Sequence, residues 1–166
     1  MDTPSTFNPP APLRFRQAER LRLRTLVERL FASGHSFFEW PLRAVVSPID
    51  ASSLDALFKG HVPARTGALQ MLVTVPKRKR RHAVDRVLMR RRVREAWRLG
   101  RIPLREAVER HPDVRTLSVG LIYMADRNVE YRKVEKAVGR LLERIADSLA
   151  QGFPPHAEAK RKGSSR

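Results

Sequence analysis

Cysteine is absent from the 166 residues, which excludes disulfides and thiolate metal sites. The five histidines, at 35, 61, 82, 111 and 156, are scattered without the spacing of a metal-ligand set. No uninterrupted apolar run approaches the roughly 20 residues of a membrane-spanning helix. The opening Met-Asp-Thr-Pro-Ser-Thr has neither the basic start nor the apolar middle of a secretory signal. A soluble, cytoplasmic chain with no membrane partner is expected. Acids are also scarce: 17 Asp and Glu face 34 Lys and Arg, a formal net charge of +17. A compact state with that charge repels itself unless a polyanion shares the load, so nucleic acid or an anionic surface is the implied partner. Gly-x-Ser-x-Gly, Walker and His-Glu-x-x-His motifs are all missing, and no catalytic or metal-binding protein residues are expected.

What is present is enough for one core. Hydrophobic residues make up 42% of the chain, and the length suits a single domain. Proline-rich residues 1–12 and the small, basic run 151–166 read as disordered tails, leaving 13–150 as the folded unit. Leu23, Leu26, Val27, Leu30 and Phe31 recur at helical steps and predict a helix from about Gln17 to Ser33, with Gly34 as a left-handed stop. The stretch from His35 to Ile49 reads as two short strands or one bent one around Pro41. Residues 51–67 read as a loop. Residues 68–75 and 117–124 read as buried strands, and about Glu130 to Ala150 as an amphipathic helix. The expected class is α+β, a single sheet of about four strands with three helices in the order α-β-β-β-α-β-α.

One stretch dominates the charge. From Lys77 to Arg98 there are eleven Lys or Arg against two acids, Asp85 and Glu95. On a helical wheel over 83–99, Met89, Val93, Ala96 and Trp97 fall within about 100° of one another and form a core face. Arg90, Arg91, Arg94 and Arg98 occupy the adjoining 100° or so. Like charges at i,i+4 destabilise an isolated helix, so packing must hold this one, with Lys77–Arg81 a mobile basic loop leading into it. A merely solvated helix face alternates in sign; this one is almost purely arginine, whose planar fork of donors suits phosphate. A DNA-reading helix would be expected to show Asn or Gln at its reading positions. A structural ribosomal or RNA-chaperone protein is an alternative that shares the charge. His82, alone among arginines, reads as a further RNA contact or a solvated side chain.

These blocks together resemble the bacterial ribonuclease P protein family. "LVERLFASGHSF" is similar to that family's first helix and Gly-x-Ser turn, "VTVPKRKRRHAVDR" to its third strand and following loop, and "RRRVREAWR" to its basic helix. "SVGLIYMA" and the last helix complete the series. The resemblance implies a left-handed β-α-β crossover through the basic helix, and a protein subunit that assists a catalytic RNA in the magnesium-dependent removal of the 5′ leader from precursor tRNA. Magnesium would be bound chiefly by the RNA. Partners would be ribonuclease P RNA and precursor tRNA, with no obligate protein partner. It further implies RNA binding by Lys77, Arg78, Arg86, Arg90, Arg91, Arg94 and Arg98. A leader-binding cleft would be lined by Val27, Phe31, Phe37 and Val45, where bases stack on aromatic rings. Phe38 and Trp40, opposite Phe37 in a regular strand, are expected in the core. The family's Arg-Asn-Arg signature aligns with Arg86, Val87 and Leu88, so two of its polar side chains are replaced by apolar ones; Val87 is expected to be exposed within the arginine stripe, and Arg92 to supply part of the missing charge.

Overall fold

The computed structural model describes residues 15–153. Its elements run α1 (Arg24–Ser33), β1 (His35–Glu39), β2 (Leu42–Ile49), α2 (Ala51–Leu57), β3 (Leu69–Thr74), α3 (Ala83–Gly100), α4 (Ile102–Arg110), β4 (Thr116–Tyr123) and α5 (Tyr131–Gln151). One four-stranded sheet has the order β1-β2-β4-β3. β1, β2 and β4 pair antiparallel, and β3 pairs parallel to β4, so the chain crosses from one to the other through α3 and α4. The class is α+β as expected, with five α-helices among the described residues rather than three.

The two additions were written in short signals. In α2, the Asp50 carboxylate accepts from the backbone N–H of Ser53 at 3.3 Å, an N-cap, and Leu54 is buried. In α4, Pro103 sits in the first turn, and Leu104 and Val108, four apart, are buried. The first helix starts later than its periodicity suggested. Gln17–Glu19 form a single 3-10 turn, after which Arg20 bridges to Met71 and the N–H of Leu21 donates to the Met71 carbonyl at 3.1 Å. The extended segment therefore extends the β3 edge before α1 begins. Gly34 is not a left-handed stop either, since its φ is −74° and its ψ 149°. Glycine is needed there for space: a Cβ would collide with the Leu30 carbonyl oxygen and with Cγ1 of Val45.

The sheet separates two apolar layers. On one face Phe37, Ala44, Val46, Met71, Val119 and Leu121 pack with α3, α4 and α5. On the other, Val45 and Ile49 pack with Leu26 and Leu30 of α1 and Leu54 of α2. Of the expected tails, residues 1–12 lie outside the described residues, as does most of 151–166. Within the latter range Gln151 closes α5 and the Phe153 ring stacks on His35 with centroids 5.1 Å apart.

A buried ion pair joins the 3-10 turn to the α3–α4 junction. Arg101 donates from Nε to Glu19 Oε1 at 2.6 Å and from Nη2 to Oε2 at 3.1 Å, with only 1% and 7% of the two side chains exposed. Burial alone would raise the Glu19 pKa; hydrogen bonds from Arg101 and from the Arg16 backbone, with the charges of Arg101 and Arg105, outweigh it and hold the carboxyl below its usual range. Because the folded-state pKa is lowered, this contribution is present above the unfolded carboxylate pKa and is lost as pH falls through the folded value. Glu19→Gln should cost about 3 kcal/mol by denaturant melts at neutral pH, since it strands a buried guanidinium. The difference from wild type should shrink as the pH is lowered through the carboxylate range, and a pH-independent difference would deny the pair its charge.

Candidate RNA interface

Helix α3 is anchored as its periodicity requires. Met89, Val93, Ala96 and Trp97 are all buried in the core. The facing arginines are thereby mounted on a rigid cylinder, but they do not share one environment. Arg91 and Arg94 are exposed and Arg90 is half-buried, and among the described residues no acid pairs with any of the three. Arg98 is held by Glu95, donating from Nε to Oε2 at 2.9 Å and from Nη2 to Oε1 at 2.7 Å. Their contact raises the Arg98 pKa and lowers that of Glu95, in each case chiefly through the hydrogen bond. Arg86 turns back and donates from Nη1 to the carbonyls of Arg80 and Arg81 at 3.1 and 2.7 Å. Arg92, expected to supply part of the charge missing from the signature positions, lies off the stripe and commits its Nη1 to the Val129 carbonyl at 2.6 Å. Val87 and Leu88 are half-buried, whereas an exposed Val87 was expected.

The segment before the helix is a pinned turn and not a free loop. The N–H groups of Lys79 and Arg80 donate to the Pro76 carbonyl at 3.0 and 3.1 Å. Arg80 donates to the Asp126 carbonyl at 2.7 Å and pairs with Asp85 at 3.0 Å. Asp85 is held below its usual pKa first by the hydrogen bond from Asn128 and then by the Arg80 charge. This arrangement commits Arg80 to structure and leaves Lys77 and Arg78 exposed beside α3.

A second surface lies on the α1 face of the sheet. The register aligns Phe38, Arg43, Ile122 and Thr74 across the four strands, and Ser36, Val45, Gly120 and Leu72 in the neighbouring row. Helix α1 covers Val45, which is 5% exposed, and places Phe31 over Gly120, where a Cβ would lie 3.5 Å from the ring Cζ. Phe31 itself is 50% exposed and Val27 half-buried. The row beyond stays open: Phe38 is 55% exposed, and Arg43 donates from Nη2 to Ser36 Oγ at 2.9 Å.

The alternation expected for β1 is present with its faces reversed. Phe37 is buried on the opposite face from α1, with the Arg144 guanidinium 5.4 Å from its ring centroid, so it takes no part in a cleft beside α1. Phe38, expected in the core, occupies the open face, and Trp40 is 45% exposed with Arg127 5.5 Å above its ring. The signal was available: a two-residue connection at Trp40–Pro41 pairs Phe38 with Arg43, and a charged residue opposite marks the uncovered face. Of the four residues assigned to the cleft, Val27, Phe31 and Val45 share this side of the sheet, and Val45 is its covered floor.

Fold and surface together define a small α+β polyanion-binding protein that presents an arginine-faced helix and, separately, an open sheet face with exposed aromatic rings. A family model described as Ribonuclease P matches residues 15–146. The ribonuclease P protein components of two Porphyromonas gingivalis strains, ATCC 33277 and W83, are each 31% identical over 149 residues, spanning 90% of this chain and 94% of theirs. The chain belongs to the ribonuclease P protein family, and its role is that of the RNA-binding protein subunit of this tRNA-processing endoribonuclease. The fold is also that of the RNase P protein from Thermotoga maritima, with a TM-score of 0.51, 19% identity and coverage of 76% of this chain and 96% of that one. The RNase P protein of Staphylococcus aureus superposes with a TM-score of 0.51, 14% identity and coverage of 76% and 94%.

The unequal pairing of the arginines has a measurable consequence. Arg90→Ala with Arg94→Ala should flatten the salt dependence of RNA affinity by about two units of log–log slope, one for each phosphate no longer neutralised. Arg98→Ala, which removes a cation already neutralised by Glu95, should change the slope by less than either. Equal effects at all three positions, read by filter binding across a salt series, would show that the Glu95 pair opens on binding.

Proposed function

We propose that this chain docks onto ribonuclease P RNA through Lys77, Arg78, Arg90, Arg91 and Arg94, and leaves bond breaking to that RNA and its magnesium. The carrying observation is the set of arginines on α3 without carboxylate partners, seated on a buried apolar face. Cations so placed neutralise backbone phosphates, position the RNA without reading its sequence, and lower the magnesium needed for it to fold. The carboxylates nearest the ridge are already engaged: Asp85 with Arg80, Glu95 with Arg98 and Asp126 with Lys79. That engagement supports a magnesium site made of RNA oxygens rather than protein ones. Arg86 and Arg98 contribute to the field of the ridge while their donors serve internal contacts.

The substrate in this reading is precursor tRNA, whose single-stranded 5′ leader lies on the open sheet face beside α1. Phe31 and Phe38 offer exposed rings, and Arg43 a cation, to a strand of variable sequence. Stacking suits such a ligand because every base has a π face. The site of action that goes with this substrate is the cytoplasm. Among the described residues no helix is long and apolar enough to cross a membrane.

Added to a bacterial ribonuclease P RNA, the chain should raise cleavage of precursor tRNA most strongly at low magnesium. No stimulation anywhere in a magnesium titration would return it to a structural RNA-binding or chaperone role. Phe31→Ala with Phe38→Ala should weaken binding of leader-bearing precursor to the holoenzyme about tenfold or more, at about 1–3 kcal/mol per stacked base. Leaderless tRNA should bind the variant and wild type alike; equal loss for both RNAs would remove the rings from the leader path.

A further inference from the structure

Where the extended segment leaves the β3 edge, a cavity of about 260 Å³ opens between that edge, residues 20–22 and α3. Three arginines line it, Arg20 and Arg22 from the segment and Arg94 from α3, together with Phe15 and the β3 edge at Val73. Among the described residues no carboxylate lines it, and none pairs with any of the three. The nearest acid in the segment, Glu19, is committed to Arg101 on the buried side.

The backbone fixes how the edge is presented. Successive residues of β3 turn their polar groups alternately toward β4 and away from it. Ala68 faces β4, since its carbonyl accepts from the Leu117 N–H at 2.8 Å, while Met71 faces outward, accepting from Leu21. Val73, two residues on, therefore also turns its polar groups outward, along the edge that the bridging segment follows. The positions of the cations are set by separate means, Arg20 by the backbone pairing with β3, Arg22 two residues further along the same segment, and Arg94 by the buried face of α3. The guanidinium of Arg20 lies 5.8 Å from the centroid of Phe15, which restricts it further.

We infer that this niche binds a single phosphate group, clasped by Arg20, Arg22 and Arg94 at the β3 edge. The proposal rests on the RNA-binding role above and deepens it, by extending the contact surface from α3 onto the segment that precedes α1. Convergent cations on rigid mounts are unfavourable in the free protein and become favourable when an anion enters. Although the Arg94 side chain as a whole is exposed, partial desolvation of its guanidinium first, and the charges of Arg90 and Arg20 after it, lower its pKa. Arginine suits the outer oxygens of a phosphate better than lysine, because each planar fork can donate twice.

Side-chain Nε–Hε NMR signals of the full-length chain provide the direct test. Titration with orthophosphate and, separately, with a dinucleoside monophosphate should shift the Arg20, Arg22 and Arg94 signals together and saturably. A response to the diester assigns the niche to an RNA backbone phosphate, a response to orthophosphate alone assigns it to a terminal phosphate, and no response to either overturns it. In the RNA arm, Arg20→Gln with Arg22→Gln should reduce the salt slope of ribonuclease P RNA binding by about one unit, as for one phosphate. Lys136→Gln, on the exposed face of α5, should leave it unchanged. Arg94→Gln should abolish the response of Arg20 to phosphate, which gives a second readout if the double variant melts early. An unchanged slope in the double variant, with the wild-type chain binding RNA tightly, would deny the niche an RNA backbone phosphate and, with no response to either probe, overturn it. A wild-type chain that binds no ribonuclease P RNA would instead remove the RNA-binding role, with the phosphate titration still deciding the niche.

Discussion

The burial of Met89, Val93, Ala96 and Trp97 beneath α3 is the contact on which the remaining architecture depends. Each large apolar side chain so buried contributes about 1.5–3 kcal/mol, whereas each i,i+4 arginine pair on the adjoining face costs a few tenths of a kcal/mol. The apolar face wins by a wide margin, and the helix can therefore carry a density of like charge that no isolated peptide would hold in one shape. A flexible basic tail would offer the same charge at a larger entropic cost on binding. Rigid mounting turns the arginines into a surface with a fixed spacing.

The sheet divides the labour of its two faces. Its α3–α5 side is filled by side chains from all four strands, while the α1 side is covered only where α1 and α2 cross it. The remainder, at Phe38, Arg43 and Thr74, stays accessible. Both binding surfaces thus derive from one layered core, and the Glu19–Arg101 pair connects the segment before α1 to the end of α3. That pair is costly to desolvate and is retained with both carboxylate oxygens satisfied, which fixes where Arg20 and Arg22 emerge.

Where a local rule acted alone, the chain was legible. The period-3.6 stripes of α3 and α5, the buried strands β3 and β4 and the α+β class were all readable, because each reflects a face that must be hidden from water. Errors clustered where two effects competed. The stripe Leu23–Phe31 suggested a helix from Gln17, but edge pairing with β3 captured residues 20 and 21 first. Gly34 matched a left-handed stop in pattern, while its role is the close passage of α1 over Val45. Phe37 and Phe38 are chemically identical neighbours, and strand alternation separates them without saying which one faces the core.

The charge and the arginine-rich, apolar-backed helix were determined by the amino-acid order itself, since composition and periodicity do not depend on what packs nearby. Which arginines remain available was decided only by the tertiary structure. Arg92 found Val129, Arg98 found Glu95 and Arg86 found the carbonyls of the preceding turn. Arg20, Arg22 and Arg94, far apart in the chain, were brought to one cavity. A guanidinium reaches partners several ångströms from its own Cα, so its fate depends on distances that exist only once the chain has folded.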